Sequence, residues 1–105
     1  MFSHSPFLKQ FNQIDSKTYL GGAIPVKYKE LMGLSLAVGS RCDQCVRYHT
    51  KMCVETGASL QEMVEAIDIA IITAGSWSFP QARLAFECMR DLGVVPPAAA
   101  PDGER

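Results

Sequence analysis

The sequence predicts an all-α domain of about five helices, and three observations carry that expectation. Apolar residues recur at three- and four-residue spacing in successive segments. The segments are punctuated by Ser, Gly and Pro where helices start and stop. No alternating strand pattern runs beyond a few residues, and no internal repeat is present. A chain of 105 residues suggests one domain. We expect it to span 1–95, followed by a flexible tail over 96–105, because "VVPPAAAPDGER" is rich in Pro and Ala and lacks an amphipathic pattern.

The first helix should open at "SPFLKQFNQI", with Ser5 as N-cap and Pro6 at the first helical position. Phe7, Phe11 and Ile14 then share one face. "YLGGAIP" breaks it, and Pro25 can open the next. The second helix, "PVKYKELMGLSLAVGS", is polar at its start and nearly all apolar after Leu31, which predicts burial on most sides. Gly39 should end it. Ser40 should cap the third helix, with Asp43 as its capping-box acid, and Gly57 should close that helix after Thr56. The fourth helix carries a capping box at Ser59 and Glu62, then Leu60, Met63, Val64, Ile67, Ala70, Ile71 and Ala74 on one face. "GSWSFP" separates it from a fifth helix with Leu84, Ala85, Cys88 and Leu92 on one face.

Composition narrows the function classes. Hydrophobic residues make up 48% of the chain, which is globular rather than disordered. A net charge of −1 with no basic stripe gives nothing for nucleic acid to bind. No segment reads as a signal peptide or as an apolar span of about 20 residues, so no membrane partner and a cytoplasmic location are expected. In a reducing cytosol, closely spaced cysteines read as metal-binding or catalytic rather than as a structural staple.

"SRCDQCVRYHTKMC", residues 40–53, holds three of the four cysteines. On a helix, Cys42, Cys45 and His49 lie at i, i+3 and i+7, along one stripe. Imidazole beside a thiol can take its proton and then hold the thiolate as an ion pair. This favours Cys45 as the thiolate. The helix start, with its unpaired N–H groups, favours Cys42. Two sulfurs one turn apart can also close a C-x-x-C disulfide and cycle as a redox centre. A zinc site using all four ligands is opposed by length. Cys42 and Cys53 stand roughly 16 Å apart on one helix at 1.5 Å per residue, whereas zinc needs sulfur at about 2.3 Å. Val46 follows Cys45, which excludes a C-x-x-C-H haem attachment. Cys88 and Cys53 read as small buried hydrophobes. Glu30 has two readings on spacing: a solvated acid near a helix start, interacting with the dipole or Lys27, or a carboxylate that orients His49 across a helical hairpin.

Glu30, eleven further residues, then Cys42-x-x-Cys45-x-x-x-His49 resembles the signature of the alkylhydroperoxidase D-like family, related to carboxymuconolactone decarboxylases. "ETGASLQEMVEAIDIAIITAG" also looks like the helix-turn-helix that follows that family's site, and the resemblance covers roughly residues 20–90. It implies an all-α fold with the Cys-x-x-Cys at the start of the third helix, assembled as a homo-oligomer, a trimer or hexamer. It also implies thiol-dependent peroxide reduction. By that similarity Cys45 is the peroxidatic thiol, His49 and Glu30 its proton relay, and Cys42 the resolving thiol that also meets an external dithiol or protein thiol reductant. No metal, flavin or haem cofactor is needed for that chemistry. A protein disulfide reductase or redox sensor of the same fold shares the chemistry, and a zinc-stabilised helical binding module is the alternative from a different class. The lactone-decarboxylating branch does not rely on a C-x-x-C.

Overall fold

The computed structural model describes residues 4–94. Five helices run in order: α1 (Pro6–Thr18), α2 (Val26–Gly39), α3 (Asp43–Glu55), α4 (Leu60–Ala74) and α5 (Phe79–Asp91), the last preceded by a short 3-10 turn at Ser76–Ser78. Among the described residues there is no strand. The expected tail over 96–105 lies outside the described residues.

Helix α2 is the central element, packed against α3 on one side and α4 on another, while α5 closes over α3. Its apolar positions explain this placement. Leu34, Ala37 and Val38 fall on one face and meet Val46 and Cys53 of α3, Met63, Ile67 and Ala70 of α4, and Ala85 and Met89 of α5 in one buried cluster. The α4 face is the one its spacing predicts, and its Ser59–Glu62 capping box is formed in both directions, at 3.0 and 2.9 Å. On α5 the buried face is rotated from expectation. Gln81, Ala85 and Met89 are buried, while Cys88 is half-buried and Leu92 is exposed. The pattern is ambiguous there because hydrophobic residues occur on both flanks of Ala85.

Helix α2 also differs from expectation. It is not enclosed: Met32 and Leu36, the latter 71% exposed, lie on an outward face that continues across Ile69 and Ile72 of α4. Helix α1 begins as predicted, Ser5 Oγ accepting the Leu8 N–H at 3.1 Å. None of its residues is buried, however, and Phe7, Phe11 and Ile14 form an exposed stripe. Periodicity shows that residues share a face; it does not show what covers the face.

The link from α2 to α3 carries the main correction. Ser40 does not cap α3. It terminates α2, and its hydroxyl donates back to the Ala37 carbonyl at 3.4 Å. The Arg41 and Cys42 N–H groups bond the Val38 and Ala37 carbonyls at 3.1 and 3.0 Å, closing α2 in a Schellman motif. Arg41 therefore sits where glycine is usual, with φ of 59°. Helix α3 ends in the same motif, there with Gly57 at φ 90° as the sequence predicts. For a residue with a Cβ the left-handed conformation costs about 1 kcal/mol. At Arg41 the side chain supplies an offset: its Nε donates to Gln81 Oε1 at 3.3 Å and its guanidinium lies 5.7 Å from the Trp77 ring centre.

Candidate active site

Cys42 is the N-cap of α3, and its sulfur accepts the Cys45 N–H at 3.3 Å. The expected capping box is absent because Asp43 turns elsewhere, accepting a 2.9 Å hydrogen bond from Gln81 Nε2. Gln81 thus ties Arg41 and Asp43, the residues on either side of Cys42, to α5. This holds the strained link, and with it the first cysteine, against a packed helix. The Cα atoms of Cys42 and Cys45 stand 5.2 Å apart and their sulfurs are paired at disulfide distance. The two differ in access. Cys45 is exposed and Cys42 is half-buried.

Four residues after Cys45, His49 turns toward α2. Its Nδ1 meets Glu30 Oε1 at 2.8 Å. Glu30 is 1% exposed, so the solvated-acid reading does not hold. Lys27 pairs with Glu62 of α4 instead, at 3.2 Å. A carboxylate accepts only, so Nδ1 carries the proton and donates it to Glu30. That leaves Nε2 with its lone pair, and the Tyr19 hydroxyl lies 3.5 Å from it.

The site contains residues that the motif does not reveal. Gly33 lies three residues after Glu30 on the same buried face of α2. A Cβ there would come within 2.6 Å of the imidazole, so the ring stacks on bare backbone. The ring is also flanked by two tyrosines, Tyr19 with centroids 5.0 Å apart and Tyr48 in an edge-on arrangement at 5.2 Å. Burial, the Glu30 charge and the Asp15 charge, in that order, push both tyrosine hydroxyls above their ordinary values, which keeps them protonated donors. Tyr19 reaches the ring because Lys29 donates to the Thr18 and Leu20 carbonyls at 2.9 and 2.8 Å, pinning the end of α1. A small glycine in a helix and a tyrosine just beyond another carry no local signature; only the α1–α2–α3 junction gives them a role.

A cavity of about 330 Å³ opens beside the pair, lined by Asn12, Asp15 and Ser16 of α1 and by Gln44, Cys45, Tyr48 and His49 of α3. Cys53 is fully buried in the core, as its expected packing role requires, and burial pushes its thiol up to about 12. Cys53 therefore takes no part in this site. Among the described residues no cluster of three His, Cys, Asp or Glu side chains is placed to hold one metal ion.

This arrangement of helices recurs in known proteins. The pattern of the carboxymuconolactone decarboxylase family matches residues 5–88. The chain belongs to the carboxymuconolactone decarboxylase family. Similar solved structures agree. A family member from Thermotoga maritima, described as having a possible involvement in antioxidative response, is 43% identical and superposes with a TM-score of 0.82. That match covers 85% of this chain and 76% of that one. A second Thermotoga maritima structure is 45% identical, with a TM-score of 0.79, over 81% and 75% of the two chains. A Legionella pneumophila family member in its apo form is 27% identical, with a TM-score of 0.76, over 81% and 76%. An uncharacterized protein of Cupriavidus necator is 35% identical over 54 residues, 51% of this chain and 48% of its own length. The chain thus spans about half the length of the curated relative it matches.

Proposed function

We propose that this family member is a thiol-dependent peroxidase of the alkylhydroperoxidase type, with Cys45, Cys42, His49 and Glu30 as its catalytic residues. The observation that carries the proposal is the buried Glu30–His49 contact, which runs from α2 to α3, the helix whose first turn bears the Cys42–Cys45 pair. Glu30 fixes the tautomer in which Nε2 is a base, and His49 and Cys45 line one cavity. In the reduced enzyme Nε2 takes the Cys45 proton, directly or through a water. The thiolate attacks the O–O bond, forming the sulfenic acid and expelling alkoxide, which leaves as alcohol with the proton held on His49. Cys42 then loses its proton to solvent and its thiolate attacks the Cys45 sulfur; the disulfide closes, and the departing hydroxide takes up a proton in place of the one Cys42 released and leaves as water. Two electrons pass from the dithiol to the peroxide, and an external dithiol or protein thiol restores the pair.

The same proposal places the protein in the cytoplasm, where thiols are kept reduced. Among the described residues no helix is long and apolar enough to cross a membrane. We also propose a homo-oligomer, a trimer or hexamer, built on the outward apolar faces of α1, α2 and α4. Phe11, Leu36 and Ile72 stay 61%, 71% and 85% exposed in the single chain, more apolar surface than a monomer usually presents. The deciding assay is peroxide consumption with dithiothreitol as reductant, in the wild type and in Cys45→Ser. Loss of at least about a thousandfold in the variant is expected; full activity without Cys45 would end the proposal. A wild type that exchanges disulfides yet leaves peroxides untouched would instead mark a disulfide reductase.

A further inference from the structure

The sequence resemblance gives the external reductant to Cys42, but the geometry points to the other sulfur. We propose that the reducing thiol enters the cavity beside Asp15 and attacks Cys45, that Cys42 leaves as the thiolate, and that the cavity accepts neutral or cationic thiols in preference to anionic ones. The inference rests on the redox pair of the function proposed above and not on its peroxide step.

Three observations carry it. The first is access. Cys45 is exposed and lines the 330 Å³ cavity, whereas Cys42 is half-buried and is not among the lining residues. A thiolate must approach the sulfur it attacks in line with the bond that breaks, so the accessible sulfur is the target. The second is the leaving group. Cys42 Sγ already accepts the Cys45 N–H as the N-cap of α3, at the positive end of the helix dipole. Negative charge released on that sulfur is stabilised as it forms, and a better-stabilised leaving thiolate departs faster. Cys45 has no such N-cap position. The third is charge. Asp15 is the one carboxylate lining the cavity, and no lysine or arginine lines it. Glu30 adds a second negative charge behind His49, and the Asp15 charge already acts on both Tyr19 and Tyr48. An anionic thiol meets repulsion on entry; a cationic one is drawn in.

The electrons balance. The incoming thiolate forms a mixed disulfide with Cys45 Sγ as the Cys42–Cys45 bond breaks, and that bond's electron pair leaves on Cys42. A second thiol equivalent then attacks the reductant's own sulfur. His49 Nε2 takes the proton of that second thiol and passes it to Cys45 as Cys45 is released, while the proton lost by the first thiol returns through solvent to Cys42. The protein gains two electrons and the reductant becomes a disulfide.

The test opens the oxidised wild type with a monothiol, without any peroxide. Oxidised protein is exposed briefly to 2-mercaptoethanol, quenched with iodoacetamide and mapped by peptide mass. The expected product carries mercaptoethanol on Cys45 and the alkyl group on Cys42; the reverse labelling overturns the proposal. Rates are then compared for cysteamine, 2-mercaptoethanol and 3-mercaptopropionate, each corrected for its thiolate fraction and nucleophilicity. Cysteamine should exceed 3-mercaptopropionate by about tenfold at low salt, and Asp15→Asn should cut that ratio severalfold. Equal rates for all three thiols, or a ratio unchanged in Asp15→Asn, would remove the selectivity. Because peroxide is absent throughout, a failure here is distinct from a failure of peroxidase activity.

Discussion

At the start of α3, Cys42 and Cys45 sit beside backbone N–H groups, an imidazole and an open cavity. Near the end of the same helix, Cys53 lies in the core among Leu34, Val46, Met63 and Met89, with no access to solvent. The residue type is shared and the chemistry is not. At the first site the thiolate has donors and a base near it; at the second the charged form would have to exist in an apolar interior. Placement along one helix therefore separates two accessible cysteines from a fully buried one.

The contrast is open to measurement. With the Cys42–Cys45 pair reduced, alkylation at pH 8 should label that pair long before Cys53. With its thiol at about 12 against an ordinary 9.0, Cys53 loses about a thousandfold in thiolate fraction alone. Labelling of Cys53 at a rate near that of Cys45 in the folded protein would show that the core is open. The same raised value has a stability consequence. Below pH 9 the neutral thiol is at home in both folded and unfolded chains, so nothing is lost. As pH rises from 9 toward 12 the unfolded chain ionises and the folded one resists, so the melting temperature should decline across that window more steeply in wild type than in Cys53→Ala.

Glu30→Gln probes the reactive end. It keeps the volume of the side chain and removes the charge that fixes His49, and we expect peroxide turnover to fall about a hundredfold. The matching control is Cys53→Ala, which should leave turnover within about twofold while lowering stability through the cavity it makes. Activity lost equally in both would dissolve the distinction between the two ends of α3.

Gly33→Ala tests whether the imidazole needs bare backbone beneath it. The added methyl meets His49 at 2.6 Å, so the ring must move or α2 and α3 must separate. Overpacking of this kind costs about 1–3 kcal/mol, and turnover should fall about tenfold as the ring is displaced. Unchanged activity and melting temperature would mean that the ring has room to spare.

The smallest effect belongs to Tyr19→Phe. Its hydroxyl lies 3.5 Å from Nε2 and its ring packs against the imidazole with centroids 5.0 Å apart. Phenylalanine keeps the ring packing and removes only the long polar contact, so peroxide turnover should fall by no more than about threefold. A loss as large as that of Glu30→Gln would make the hydroxyl, and not the ring, the part that the site needs.

Much of this was legible along the chain. The five helices, the capping box at Ser59 and Glu62, the Gly57 stop and the Cys42-x-x-Cys45-x-x-x-His49 stripe are local, because each depends on residues within a few positions of one another. The family signature added Glu30, which spacing alone left as either a surface acid or a partner of His49. At the α2–α3 link the sequence predicts a stop at Gly39 and a cap at Ser40, whereas the chain closes α2 in a Schellman motif at Arg41 and uses Cys42 as the next cap. A side chain that offsets its own backbone strain through Trp77 and Gln81 is invisible until those residues are brought near.

Sequence by itself determined the helices, their punctuation outside the α2–α3 link and the one stripe that could do thiol chemistry, since helical periodicity and capping act over a turn or two. Tertiary structure alone decided that Glu30 is buried against His49, that Gly33 makes room for the ring, that Tyr19 reaches its far nitrogen and that Cys45 rather than Cys42 lines the cavity. Those are contacts between residues distant in the chain. They depend on how α1, α2 and α3 cross, and that crossing is set by the summed packing of the core rather than by any short segment.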